Sequence, residues 1–383
     1  ETSEVELEDS LQELMELATT AGIRLMRTMV QKRTKIDRSS YFGSGKLIEV
    51  KAAVEQEEAS LILVDDEITA MQIRNLEEGT GLPVMDRTNL ILDIFTQRAS
   101  TKEGKLQVEL ARLQYRLLRL AGGYAGLSRQ RGGIGTKGIG ETKLEIDRRT
   151  LRDQILEVKR NLEKVVQNRM VQRQKRVETF APLFSLVGYT NAGKSSMLNT
   201  LTHSDVPVHD GLFTTLDPTA RRIDLPSGRH AVLSDTVGFI QKLPHGLVKA
   251  FRATLEDVVN AQVILHVTDV SHPHALERIQ AVNEVLKELE VFERETLMVF
   301  NKIDRPVPHS LDSLRQAFPG ALCISAKTGE GLDELKQRMD DIMSRQYREI
   351  EIEVPHDSPV LRDVRQIGQI LQQFLKRVFQ LHF

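Results

Sequence analysis

The run Gly188-Tyr-Thr-Asn-Ala-Gly193-Lys194-Ser195 follows directly on the apolar stretch Leu183-Phe184-Ser185-Leu186-Val187. This spelling in this context commits the chain to a buried strand, a tight glycine-rich turn and a helix, the repeating unit of a parallel α/β sheet. The glycines let backbone amides converge on phosphate oxygens, Lys194 brings a positive charge to the outer phosphates, and the Ser195 hydroxyl can ligate magnesium. The candidate nucleotide contacts are Gly188, Tyr189, Thr190, Asn191, Ala192, Gly193, Lys194, Ser195 and Ser196, with the helix N-terminus aimed at the anion.

Three further elements follow in the order that a guanine-nucleotide switch requires. Ala231-Val232-Leu233-Ser234-Asp235 reads as a buried strand that delivers Asp235 to a magnesium shell. The Gly238 amide, three residues on, can approach the terminal phosphate. Thr296-Leu297-Met298-Val299-Phe300 reads as another strand and ends in Asn301-Lys302-Ile303-Asp304, where the Asp304 carboxylate can accept two hydrogen bonds from guanine. Adenine offers no such donor pair. Taken alone, this tetrapeptide reads equally as an Asx turn. Ser325-Ala326-Lys327, after the short strand Ala321-Leu322-Cys323-Ile324, can close the base pocket with an amide and an aliphatic stem. The ordered set favours GTP over ATP.

With 383 residues and 40% hydrophobic content the chain is long enough for two or three domains. Its single cysteine, Cys323, excludes an intrachain disulfide framework, and no apolar run approaches a membrane span. The expectation is a soluble protein of a reducing compartment. That is the cytoplasm, or an organelle stroma or matrix if the start at Glu1 marks a processed import product.

The net charge of -2 conceals a strong asymmetry. Residues 98–177 carry 20 basic against 8 acidic side chains, a balance of +12, which leaves -14 for the rest. A basic block beside an acidic nucleotide-binding half suits a polyanion-binding module, although solvated helices would also account for the charges. Within the block, Leu106, Leu110, Leu113, Leu117 and Leu120 recur at helical spacing, with Arg112, Arg116 and Arg119 on another face. A second helix from about Glu141 to Arg176 repeats Leu144, Leu151, Ile155, Val158, Leu162 and Val165, so the two pair as a hairpin. Residues 122–140 between them hold eight glycines with Arg129, Arg131 and Lys137 and no apolar period. Such a tip suits close insertion against folded RNA, the alternative being a flexible linker.

Arg87-Thr88, Leu106-Gln107-Val108-Glu109-Leu110-Ala111, Gly132-Gly133-Ile134-Gly135-Thr136, Gly140-Glu141-Thr142-Lys143-Leu144-Glu145 and Asp147-Arg148-Arg149 resemble HflX-type GTPases over about residues 10–345. The resemblance implies an α/β fold. A P-loop GTPase domain with a doubly wound, mostly parallel sheet (178–346) is preceded by a smaller α/β domain (1–97) with a long basic hairpin (98–177). It also implies docking on the large ribosomal subunit and its RNA, with splitting or rescue of stalled or stress-inactivated ribosomes. By motif, Lys194, Thr215 and Gly238 serve catalysis, Ser195 and Thr215 ligate Mg2+, and Asp235 holds it through water. Arg129, Arg131, Lys137 and Lys143 are the implied RNA contacts. Lys137-Gly138-Ile139-Gly140 stands where the family more often has Arg-Gly-Pro-Gly, which loosens the tip without removing its charge. A monomer is expected. The competing reading is a signalling GTPase whose basic hairpin meets a protein or membrane partner.

Two positions bear on turnover. Phe239 stands where many switch GTPases place a water-orienting Gln and cannot polarise water, so even if it serves only packing the catalytic group is missing. Unassisted hydrolysis is then slow, on the order of 10⁻⁴ to 10⁻² s⁻¹. Asn191 can either offer an oxygen to a monovalent cation such as K+, as in similar GTPases, or simply tolerate a turned backbone.

Nearer the N-terminus, Leu61 to Val64 and Pro83 to Met85 read as strands and Thr69 to Glu78 as a helix. Gly43-Ser44-Gly45-Lys46 reads as a helix-opening turn, and Asp65-Asp66-Glu67 as a solvated strand exit. At the other end (347–383), the strand Glu349 to Val354 is followed by a helix from Val360. It carries Val360, Val364, Ile367, Leu371, Phe374, Val378 and Leu381 as a heptad seam.

Overall fold

The structure, a computed structural model, describes residues 4–32, 35–123, 139–174, 182–204, 212–213, 215, 219–242, 255–308, 310–346, 349–353, 369–373 and 378–382. The apolar run before the glycine loop forms β3 (Leu183–Gly188), the central strand of a six-stranded sheet. Its neighbours are β5 (His230–Asp235) and β6 (Val263–Asp269), followed outward by β7 (Thr296–Asn301) and β8 (Leu322–Cys323). These strands run parallel, and only the edge strand β4 (Thr219–Asp224) is antiparallel. Near-continuous apolar strands are what a parallel sheet covered on both faces demands.

Helices supply that cover. On one face, Met197, Leu198 and Leu201 of α7 (Lys194–Thr202) and Leu335, Met339 and Ile342 of α11 (Leu332–Gln346) pack on Leu186, Leu233, Leu265 and Val299. On the other, Val282, Val285 and Leu286 of α9 (Ala275–Glu288) and Val258 of α8 (Glu256–Asn260) join Val187 and Ile264. A short α10 (Leu311–Ala317) lies near the β7 end.

The second cluster does not stop at the six-stranded sheet and its helices. It runs on through Leu14 and Leu17 of α1 (Glu4–Thr20), Leu90 to Phe95 of α4 (Arg87–Arg98), and Val108, Ala111 and Tyr115 of α5 (Lys102–Gly123). Phe95 meets Phe213 edge to face, with ring centroids 4.5 Å apart.

The N-terminal domain pairs β1 (Ile62–Val64) with β2 (Val84–Asp86) in parallel, with α2 (Ser44–Gln56) and α3 (Ala70–Thr80) packed nearby. Thr69 and Gln72 form a reciprocal capping box that starts α3, and Gly81 ends it in the left-handed conformation. Gly43 precedes α2, as a helix-opening turn requires.

The hairpin joins α5 to α6 (Ile139–Gln174) through Leu110, Leu113, Leu151, Ile155 and Val158, with Leu106, Leu117, Leu120 and Leu162 alongside. Its base is fixed by Asp86, which caps α4 through Asn89 N–H and also accepts from Tyr115 and from Arg119 at 2.9 Å.

Two expectations need correction. Asp65 is no solvated strand exit: it is 13% exposed and ion-paired to Arg87 at 2.6 Å, because β1 ends inside the domain junction. Nor do the described residues of the expected seam helix, 369–373 and 378–382, form a helix, while Val360, Val364, Ile367 and Phe374 lie outside the described residues. β9 (Glu349–Glu353), β10 (Gln369–Gln373) and β11 (Val378–His382) build an antiparallel sheet ordered β10-β11-β9. The short segment Phe379-Gln-Leu-His alternates apolar and polar residues, while Val378 and Leu381 also fit a heptad. Pairing with the strictly alternating Glu349-Ile-Glu-Ile-Glu decides between the two periods. Among the described residues no helix is long and apolar enough to cross a membrane.

Candidate nucleotide-binding site

The loop between β3 and α7 is held open by a close backbone approach. A Cβ on Gly188 would lie 2.1 Å from the Val267 carbonyl oxygen, so only glycine fits beside β6. Lys194 is buried and donates to the Gly188 and Tyr189 carbonyls at 3.1 and 2.9 Å, which curls the loop around its ammonium. Burial lowers its pKa to about 8, opposed by the nearby Asp235 carboxylate. Thr190 is buried with its hydroxyl unpartnered, Ala192 is buried, and Ser196 is half-buried in the first turn of α7. Asn191 is exposed with φ +60, the turned backbone that asparagine tolerates.

Asp235, at the end of β5, accepts from the Ser195 hydroxyl at 2.6 Å and the Thr215 hydroxyl at 2.9 Å through the same oxygen. Those two hydroxyls are 2.9 Å apart. The other carboxylate oxygen is buried without a partner, and burial raises the Asp235 pKa against the pull of Lys194. Two hydroxyls and a carboxylate with a spare oxygen beside a phosphate loop fit a hard divalent cation that keeps much of its water shell.

At the far side, the Asn301 side chain donates to the Ala192 carbonyl at 2.8 Å and accepts from the Ala326 amide at 3.0 Å. It thereby ties the phosphate loop to the Ser325-Ala326-Lys327 turn. Asp304 is exposed and accepts from the Ser325 hydroxyl at 2.7 Å, which holds its carboxyl below the usual range. It is therefore ionised and oriented. Lys302 lies between these loops and pairs with Asp269 at 2.7 Å, while Lys327 is exposed. All of these groups line one end of the parallel sheet, beyond the strand C-termini, where open α/β sheets place ligands.

Of the expected RNA contacts, Arg129, Arg131 and Lys137 lie outside the described residues, and Lys143 is on α6. Phe239 is 2% exposed and packs in the shared core.

Models of known families match the chain in three consecutive stretches. They are described as GTP-binding GTPase N-terminal (residues 8–96), GTP-binding GTPase middle region (98–176) and 50S ribosome-binding GTPase (184–302). A GTPase HflX from Caldanaerobacter subterraneus subsp. tengcongensis is 48% identical over 93% of this chain and 82% of its own length. This chain belongs to the HflX GTPase family. The Escherichia coli GTPase HflX is 43% identical over 94% of the chain and 85% of its own length. A GTP-binding protein from Sulfolobus solfataricus, solved in complex with GDP, aligns with a TM-score of 0.46 and 24% identity over 88% of this chain and 97% of its own. As an HflX-family member, the chain is a GTP-binding, GTP-hydrolysing enzyme.

Sequence reasoning passed over several residues at this site. Tyr189 was read only as a loop backbone, yet its hydroxyl donates to Glu13 of α1 at 2.6 Å. Arg87 entered only as part of a resemblance, yet it is 2% exposed and paired to Glu13 at 3.1 Å. His266, buried in β6, is kept neutral by burial and by Lys194, with its pKa lowered to about 4. A histidine inside Val-Ile-Leu-His-Val was its only signal.

Proposed function

We propose that this GTPase docks on the large ribosomal subunit through its basic hairpin and splits or rescues stalled or stress-inactivated ribosomes. Nucleotide state sets the docking affinity and hydrolysis resets it. The observation that carries this reading is the excess of +12 over residues 98–177, a block that contains two helices packed on each other through Leu110, Leu113, Leu151, Ile155 and Val158. Exposed cations of these helices, such as Arg116, Arg149, Arg152, Lys159 and Arg160, are left to meet phosphates, and Arg129, Arg131, Lys137 and Lys143 are the residues we assign to RNA. The family description as a 50S ribosome-binding GTPase supports the same partner.

In the nucleotide site, the phosphate-loop amides and Lys194 hold the phosphates, and Asp304 with the Ser325-Ala326-Lys327 turn reads the base. The Gly238 amide meets the γ-phosphate. Ser195 and Thr215 would ligate Mg2+, with Asp235 acting through water. An ion held by these residues would supply positive charge against the negative charge of the phosphates. With Phe239 in the core, no side chain at that position orients the attacking water, and we assign that ordering to the ribosome. Asn191 remains the candidate K+ ligand, to be checked by comparing hydrolysis in potassium and sodium. The protein acts as a cytoplasmic monomer.

The deciding experiment is GTP hydrolysis with and without purified large ribosomal subunits, with Lys194→Ala as the blank. Strong stimulation is expected. An unchanged rate despite intact GTP binding would move the activator to a protein or a membrane and sink the ribosomal reading.

A further inference from the structure

The segment after Gly238 is fixed at two ends. At the near end, Phe239 donates its N–H to the Gly188 carbonyl at 3.1 Å, and its own carbonyl accepts from Thr190 N–H at 2.7 Å. Gly238 is pressed against the phosphate loop: a Cβ there would lie 2.8 Å from Thr190 Cα and 3.0 Å from Lys194 Nζ. The Gly238 backbone therefore sits beside the ammonium that receives the outer phosphates.

At the far end, Gln241 and Lys242 are held by the N-terminal domain. Gln241 donates its backbone N–H to the Tyr189 hydroxyl at 2.8 Å, and its carbonyl accepts from Arg87 at 3.3 Å. Its side chain donates to Asp9 of α1 at 3.3 Å. Lys242 pairs with Asp65 at 3.1 Å and Asp66 at 3.3 Å.

Tyr189 is the joint of this arrangement. It belongs to the phosphate loop, is 4% exposed, and its hydroxyl accepts from Gln241 while donating to Glu13. Glu13 is in turn locked by Arg87, which also binds Asp65 at 2.6 Å. Arg278 of α9 stacks over the tyrosine ring at 4.5 Å and fixes its plane. One phenol thus links the phosphate loop, the backbone after Gly238 and a buried ion-paired cluster of the other domain. Hydrogen bonds to such charged groups are among the stronger ones, and a partner left unpaired in the interior is costly.

We propose that Tyr189 is a positioning residue for GTP hydrolysis: its hydroxyl couples the N-terminal domain, through Glu13, to the segment after Gly238 and so sets where the Gly238 amide meets the γ-phosphate. GDP has no γ-phosphate, so the coupling acts on GTP alone. The N-terminal domain therefore contributes to telling GTP from GDP without touching either nucleotide.

The test is Tyr189→Phe, which keeps the ring and its stacking on Arg278 but removes the hydroxyl. Affinity for a non-hydrolysable GTP analogue falls about tenfold, kcat falls by a similar factor, and GDP affinity stays within about twofold. Glu13→Leu behaves alike, whereas Glu13→Gln, which still offers an oxygen to the phenol, restores most of the preference. The double variant Tyr189→Phe with Glu13→Leu is no worse than either single change, because both cut one path. Lys242→Ala, at an exposed anchor that does not threaten folding, shifts the same ratio less. Equal losses for GDP and the analogue in Tyr189→Phe would reduce the residue to loop packing, and unchanged affinities for both would overturn the coupling. Wild-type hydrolysis measured alongside keeps a failure of the GTPase assignment distinct from a failure of the coupling.

Discussion

The nucleotide site and the basic hairpin are both rich in charge, and they use it in opposite ways. In the site, the charges beside the phosphate loop are buried and answered by named partners, Lys194 by the loop carbonyls and Asp235 by two hydroxyls. On the hairpin, the groups buried between the helices are apolar, and cations such as Arg116 and Arg152 lie on exposed faces of α5 and α6. Charge in the first region is positional, so losing one group is severe. In the second it is collective, so losing one group is mild and salt governs the rest.

The comparison breaks most sharply at Lys194. Lys194→Ala is expected to lower GTP hydrolysis about 10² to 10³-fold in single-turnover assays, the scale seen when one preorganised electrostatic group is removed. Asp304→Asn comes next. It exchanges the doubly accepting carboxylate for an amide, so GTP affinity drops about 10²-fold. XTP binding rises, since xanthine presents an oxygen where guanine carries its amino group. Competition binding with the two nucleotides reads both effects.

Replacing Arg129, Arg131 and Lys137 together by alanine is expected to weaken binding to large ribosomal subunits about tenfold at moderate salt. It also flattens the dependence of log affinity on log salt by roughly two units, since each lost phosphate contact removes about 0.7 to 0.9. A loss of affinity with an unchanged salt slope would place the contacts elsewhere.

Lys194 also gives a pH dependence. Its pKa of about 8 in the free protein rises once phosphate is bound, so the binding energy of the protonated form is fully present below pH 8. It is lost as pH rises above that value, by up to tenfold in affinity per unit. Titration of GTP affinity from pH 7 to 10 checks the sign, and Lys194→Arg abolishes the slope. Smallest in the nucleotide assay is Leu113→Ala, which opens the seam between α5 and α6 at a cost of about 2 to 4 kcal/mol. It leaves hydrolysis by the isolated protein at its starting value, and hydrogen exchange along α6 records the loss.

The same contrast explains what could be read in advance. The placement of Gly188 to Ser195, Asp235 and Asn301 to Asp304 together at strand ends was legible because the motifs set residue types at set offsets from apolar strands. The hairpin was legible through its leucine spacing, and its charge only as a total. What stayed hidden depends on pairing across the chain. Glu13 and Tyr189 are 176 positions apart, and no local spacing announces their 2.6 Å hydrogen bond. Asp65 looked like a surface residue for the same reason. The C-terminal strands were hidden because the apolar residues there, Val378, Phe379 and Leu381, can be picked out at either period until pairing with Ile350 and Ile352 selects Phe379 and Leu381.

Asn301 reaches the Ala192 carbonyl with one end of its amide and the Ala326 backbone with the other. With the nucleotide held as proposed, grip on the phosphates and choice of base share a single fastener. A lineage drifting toward another purine could not retune the base pocket at this position without slackening the loop that holds the energy-carrying end. This shared fastener ties the fidelity of the fuel to the strength with which it is held.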